Sequence, residues 1–176
     1  PSSNYSFFDP ITLETRYFEE KNVLNPSAVV KDGLVHLIYR AQDSLMTSRL
    51  ALATSVDGIH FEKQTEPILF PDNDAQLAFE WPGGIEDPRV VSLDNGEYYL
   101  TYTAYDGKTA RLFAARSSDL INWEKLGSVF ENPKYADKWS KSGALITTQV
   151  EDQFVATKID GYYYMYFGDT SLFIAR

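Results

Sequence analysis

Glu86-Asp87-Pro88-Arg89 puts two carboxylates and an arginine within four residues, directly after Trp81-Pro82-Gly83-Gly84. Pro88 fixes its own φ and biases Asp87 toward extended backbone, while Gly83 and Gly84 permit a close approach of the chain just before it. Asp87 is therefore expected at the mouth of a strand running Arg89-Val90-Val91-Ser92-Leu93. A carboxylate on so rigid a platform suits general acid chemistry. A salt-bridge cluster at a strand start would use the same residue types.

The elements that must hold this stretch read as short strands. Asn25 to Val30 and Leu34 to Ala41 flank a Lys31-Asp32-Gly33 turn, Arg49 to Thr54 follows, and Val56 to Lys63 turns into a fourth strand of one antiparallel sheet. The order then returns. Glu86 to Val91, the Asp94-Asn95-Gly96 turn, Glu97 to Ala104, Arg111 to Arg116 and Ser118 to Lys125 repeat it, and Arg49 to Lys63 realigns with Arg111 to Lys125 without a gap at an offset of 62 residues. A third copy opens at Lys141 to Ile146, turns at Asp160-Gly161, continues as a strand from Tyr162 to Asp169 and reaches Arg176. Repeats of this length, near 22–65, 83–127 and 139–176, are the pattern of β-propeller blades, which bury their sheet faces only against neighbours. The chain reads as one all-β domain, residues 1–176, with about two and a half blades. Pro1 to Lys21 reads as irregular, with Phe7-Phe8-Asp9-Pro10 as a turn or lid and a start that looks trimmed.

In a propeller the innermost strands line the channel, so Asn25, Asp87 and Lys141 are expected around one axis. The ends of the second strands would add Arg40 and Asp43, Tyr105 and Asp106, and Asp169. Equivalent positions carrying different polar groups favour a site over a set of satisfied turn residues.

Composition narrows the function classes. The 176 residues carry a formal net charge of −9, with no Lys/Arg run, which argues against nucleic acid or an anionic membrane as partner. The absence of cysteine removes thiolate and disulfide chemistry and leaves the compartment open. A trimmed start would fit a periplasmic or secreted protein, and an untrimmed one a cytoplasmic protein. His36 and His60 have no partner at ligand spacing, and Asp72-Asn73-Asp74 lacks the glycine and distal glutamate of a calcium loop, so no metal site is expected. Aromatic residues at 15% suit strands and also the stacking of sugar rings.

Taken together, Asn25-Pro26, Tyr39-Arg40-Ala41, Ser48-Arg49-Leu50, Asp57-Gly58-Ile59-His60-Phe61, Pro71-Asp72-Asn73-Asp74, Trp81 to Arg89 and Ser140-Lys141-Ser142-Gly143 resemble glycoside hydrolase family 130 over nearly the whole chain. The resemblance implies a five-bladed propeller that cleaves β-mannosides with inversion, without metal or other cofactor. Asp87 matches the family's general acid, which is thought to act through a sugar hydroxyl. Asn25 and Arg40 match residues that hold the mannose beside the scissile bond, and Arg49 and Arg89 resemble neighbouring polar contacts. A structural strand-end ion pair is the lesser alternative for Arg40. The Glu-Trp-Pro-Gly-Gly and Ser-Lys-Ser-Gly stretches look more like the β-1,2-mannosidase branch, where a glutamate would be expected at Asp169. Hydrolysis is therefore expected ahead of phosphorolysis, in which inorganic phosphate is the co-substrate and mannose 1-phosphate the product. A non-catalytic carbohydrate-binding module is the competing class. The partner implied is a β-mannoside oligosaccharide, and the oligomeric state is open, a homo-oligomer included.

Overall fold

The computed structural model describes residues 1–130, 132–151 and 153–176. A hairpin of β1 (Phe7–Asp9) and β2 (Glu14–Arg16) precedes a first antiparallel sheet of β3 (Asn22–Lys31), β4 (Leu34–Gln42), β5 (Ser48–Ser55) and β6 (Glu62–Lys63), paired in chain order. A single helical turn, α1 (Leu77–Glu80), leads into a second sheet of the same order: β7 (Gly84–Ser92), β8 (Tyr98–Tyr105), β9 (Ala110–Ser117) and β10 (Glu124–Ser128). After α2 (Pro133–Ala136) the third repeat comprises β11 (Ala144–Leu145), β12 (Thr147–Val150), β13 (Gln153–Ala156), β14 (Lys158–Ile159), β15 (Tyr162–Tyr163), β16 (Met165–Gly168) and β17 (Leu172–Ala175).

Local chemistry sets these boundaries. The β3–β4 turn has Asp32 and Gly33 both at positive φ, and the Asp160-Gly161 turn repeats this, the two-residue geometry that matches strand twist. At the ends of β5 and β9, Asp57 Oδ1 accepts the amides of Ile59 and His60, and Asp119 Oδ1 those of Ile121 and Asn122. The same side-chain turn thus recurs at the offset of 62 residues, and its frame shapes the start of each fourth strand.

The first two sheets pack face to face. Ile38, Leu50 and Leu52 from one and Ile85, Leu100 and Tyr102 from the other share one core, each almost fully buried. Each such aliphatic side chain contributes about 1.5–3 kcal/mol. At the N-terminal ends of β5 and β7 the sheets also touch through backbone, where Ser48 lies parallel to Gly84 and the Ser48 amide donates to the Gly83 carbonyl at 2.9 Å.

Three expectations need correction. The N-terminal segment is not irregular, since β1 and β2 pair from Phe7–Arg16 to Asp9–Glu14, and Phe7 and Phe18 are buried against Tyr39, Ala51 and Ala53. Two buried rings hold this hairpin down, so it is no lid. The third repeat does not contain one strand from Tyr162 to Asp169; the run is divided at Tyr164, whose carbonyl accepts the Ile146 amide outside the ladder. That repeat also carries the β12–β13 hairpin, which lies alongside β7 through Val155 and Ser92. Lastly, Asp87 is not extended.

Candidate active site

Asp87 has a φ of 49° and sits inside β7, where the pairing with β8 slips between Glu86 and Arg89. The same slip occurs in β3 between Leu24 and Ser27, where Asn25 has a φ of 48°. In the third repeat Ser142 takes a φ of 57°. Left-handed backbone costs a non-glycine residue roughly 1–2 kcal/mol, least for Asn and Asp. Such a bulge re-aims one side chain out of the alternation of the strand. The equivalent positions are therefore Asn25, Asp87 and Ser142. Lys141 falls one residue earlier, at the level of Glu86, and its carbonyl accepts the Gly168 amide at 2.9 Å.

Arg40, near the end of β4, reaches from the first sheet to the carboxylates of the second. Its Nη2 donates to Glu86 Oε1 at 2.6 Å, its Nη1 to Asp87 Oδ1 at 3.4 Å and its Nε to Ser48 Oγ at 3.0 Å. The three charged side chains are only 12–15% exposed. Ser48 Oγ also donates to Glu86 Oε1 and accepts from Gln42 Nε2, and Gln42 accepts from Asn22, so polar contacts hold the fork from behind. Burial pushes the Glu86 carboxyl above the ordinary range, and the charge of Asp87 adds to this, against the opposing pull of Arg40, Ser48 and Lys141. Lys141 in turn lies 3.4 Å from Asp169. Arg40, Glu86 and Asp87 thus form one charged cluster between the first two sheets, and Lys141 and Asp169 of the third repeat form a further pair whose lysine acts on Glu86 through its charge.

The remaining expected site residues lie as follows. Asn25 is exposed on β3, and Arg89 donates to the carbonyl of Pro88 at 2.8 Å. Asp43 and Arg49 are not part of the cluster. Arg49 is fully buried, pairs with Asp9 and with Asp43 at 2.9 Å, and lies over the ring of Phe7, so its guanidinium anchors the N-terminal hairpin. Asp106 does the same for Arg111 at 2.7 Å, with Asp137 as the second carboxylate and Phe79 as the ring. Tyr105, beside Asp106, ends β8 with its ring where a Cβ on Gly83 would stand, 2.2 Å from Cδ1. A second repeated device supports each sheet from outside: Tyr39 and Lys63 hold the buried Glu19, and Tyr102 and Lys125 hold the buried Glu80.

Glu86 and Ser48 were not among the expected site residues. The adjacency of Glu86 to Asp87 was the available signal, whereas Ser48 gains its role only through the contact between sheets. Chemically, the arrangement offers a carboxyl group at a fixed position, a second carboxyl with raised proton affinity beside it, and cations that can hold hydroxyls or an anion.

The sequence profile of the family described as beta-1,4-mannooligosaccharide phosphorylase matches residues 5–175. A 1,2-beta-oligomannan phosphorylase of Thermoanaerobacter sp. (strain X514) is 33% identical over 148 residues, which is 78% of this chain and 46% of that protein. A beta-1,2-mannobiose phosphorylase of the same organism is 28% identical over 169 residues, or 87% of this chain and 51% of the relative. The chain spans about half the length of these curated relatives. Among solved structures, one comes from a study of glycoside hydrolases that target beta-1,2 mannosidic linkages in Candida mannan, within a family of mannoside phosphorylases. It superposes with a TM-score of 0.96 at 39% identity, over 99% of this chain and 51% of that one. A glycosyl hydrolase from Bacteroides ovatus gives 0.96 at 37% identity, over 99% and 51%.

Proposed function

The chain belongs to glycoside hydrolase family 130, and from that premise we propose that it carries the general acid of an inverting β-mannoside-cleaving enzyme. The observation that carries the reading is the Arg40 fork, which spans two sheets to hold Glu86 and the bulged Asp87 together. Asp87 gives its proton to the leaving oxygen, directly or through a sugar hydroxyl, as the bond from that oxygen to the anomeric carbon breaks. The nucleophile enters on the opposite face of the sugar. Asn25, Arg40, Arg89, Tyr105 and Asp106 are proposed to border the substrate, with Lys141 and Asp169 at the rim.

Phosphorolysis takes precedence over the hydrolysis expected from the sequence, because the family profile and both curated relatives carry phosphorylase names. Inorganic phosphate is then the nucleophile, and mannose 1-phosphate and a shortened mannoside are the products. Hydrolysis is the second reading, favoured by the 39%-identical structure from the study of β-1,2-targeting hydrolases. The names of these relatives favour a β-1,2 linkage. Incubation with β-1,2-mannobiose and with β-1,4-mannosyl-glucose, with and without phosphate, separates the two. Mannose 1-phosphate formed only with phosphate supports the first reading, free mannose regardless of phosphate the second, and no product in either case overturns both.

A further inference from the structure

Trp139 leaves half of its surface exposed, and its ring meets Tyr105 edge to face, the centroids 6.4 Å apart and the planes 67° from parallel. The two aromatics come from different repeats, yet their backbones are tied together. Arg111 donates to Asp106, the residue after Tyr105, at 2.7 Å and to Asp137, two residues before Trp139, at 3.0 Å. On the other side of Trp139, the buried Ser140 donates its amide to the Ala110 carbonyl and accepts the Leu112 amide on its Oγ. In the first sheet the equivalent clamp, Arg49 with Asp43 and Asp9, is wholly buried and holds a hairpin. In the second sheet the same device instead stands beside a half-exposed tryptophan.

The place of the pair relative to the charged cluster gives it a use. Thr103 lies opposite Glu86 in the β7–β8 ladder, and Tyr105 is two residues further along the same face of β8, roughly 7 Å toward the rim. Trp139 is two residues before Lys141, which lies 3.4 Å from Asp169 and whose charge is felt at Glu86. We propose that Trp139, backed by Tyr105, is a stacking platform for a sugar ring of the substrate beyond the one held at Arg40 and Asp87, so that it selects for mannosides of two or more units. The negative face of an indole attracts the polarised C–H bonds of a pyranose. A tryptophan whose neighbours Asp137 and Ser140 are tied to the second sheet and whose ring already rests on Tyr105 loses little freedom when the sugar lands on it. This platform rests on the reading of the Arg40–Asp87 cluster as the cleavage site.

The test is calorimetric titration in an Asp87→Asn background, which blocks turnover, with mannose, β-1,2-mannobiose and β-1,2-mannotriose. Adding Trp139→Ala should weaken mannobiose or mannotriose roughly five- to tenfold and leave mannose unchanged, as expected for a lost aromatic contact. Trp139→Phe should keep most of the affinity and serves as the folding control. Equal affinities with and without Trp139, or an equal loss for mannose, overturn the platform and leave the cleavage-site reading standing. Failure of all three sugars to bind while Trp139 is intact overturns both.

Discussion

In the proposed function Asp87 is the general acid, and its left-handed backbone decides which substitutions can test that role. Asparagine tolerates this conformation, so Asp87→Asn should lose roughly 10²–10⁴-fold in turnover while the thermal unfolding transition stays in place. Arg40 is the second test. Folded Glu86 holds its proton more tightly than the unfolded chain does, so its contribution to stability is fully present below the ordinary glutamate value and is lost as pH rises through the raised one. Arg40→Met removes the largest opposing charge. It should cost about 3 kcal/mol in neutral buffer and distinctly less in mildly acidic buffer, measured by urea denaturation at both. Asp87 and Arg40 were legible in the sequence because Pro88 and the ends of regular strands mark their positions. The backbone of Asp87 was misread, since a proline normally drives its predecessor to extended geometry and here the bulge prevails. Lys141 was placed one position early: the residue of its repeat with left-handed backbone is Ser142.

Among the elements, the hairpin of β1 and β2 offers the sharpest expectation. Asp9→Ala would leave the fully buried Arg49 with Asp43 alone as its carboxylate and should cost about 3 kcal/mol by urea denaturation. The equivalent change in the second sheet, Asp106→Ala, acts on a partly exposed pair and should cost about 1–2 kcal/mol. Burial alone would raise the Asp9 carboxyl, but the amides of Thr12 and Ile11 and the Arg49 guanidinium outweigh it and hold it below the usual aspartate range. Its share of stability is therefore present above the ordinary aspartate value and disappears as pH falls through the lower, folded one. In an acid titration followed by hydrogen exchange, β1 and β2 should lose protection before the central strands. The second sheet was legible through the ungapped match of Arg49–Lys63 to Arg111–Lys125. The hairpin was not, because three-residue strands around Pro10 are shorter than any periodicity can register. The division at Tyr164 was equally hidden, since an unbroken aromatic run reads as one strand whether or not its ladder continues.

At the scale of the molecule, the all-β character and the order of strands within each sheet were readable from turns and alternation, but the way one sheet meets the next was not. That junction narrows at Gly84, where a Cβ would stand 2.1 Å from the Ser48 carbonyl oxygen on a backbone with a φ of 101°. Gly84→Ala should destabilise the protein by about 2–3 kcal/mol. It should also lower turnover, because Ser48 cannot retreat without releasing Arg40 and Glu86. Gly33, whose added Cβ would meet nothing within 4 Å, isolates the backbone term: Gly33→Ala carries the φ strain without the collision, and the difference between the variants in denaturant titrations measures the junction. The Arg40 fork gives that junction a further meaning. On the proposed reading, cation and acid are supplied by two successive sheets, so neither sheet is competent alone, and a chain nicked in the 64–76 connection would recover activity only as its pieces reassociate. Catalysis would then serve as an assay of assembly, reporting the docking of one repeat on the next with every turnover.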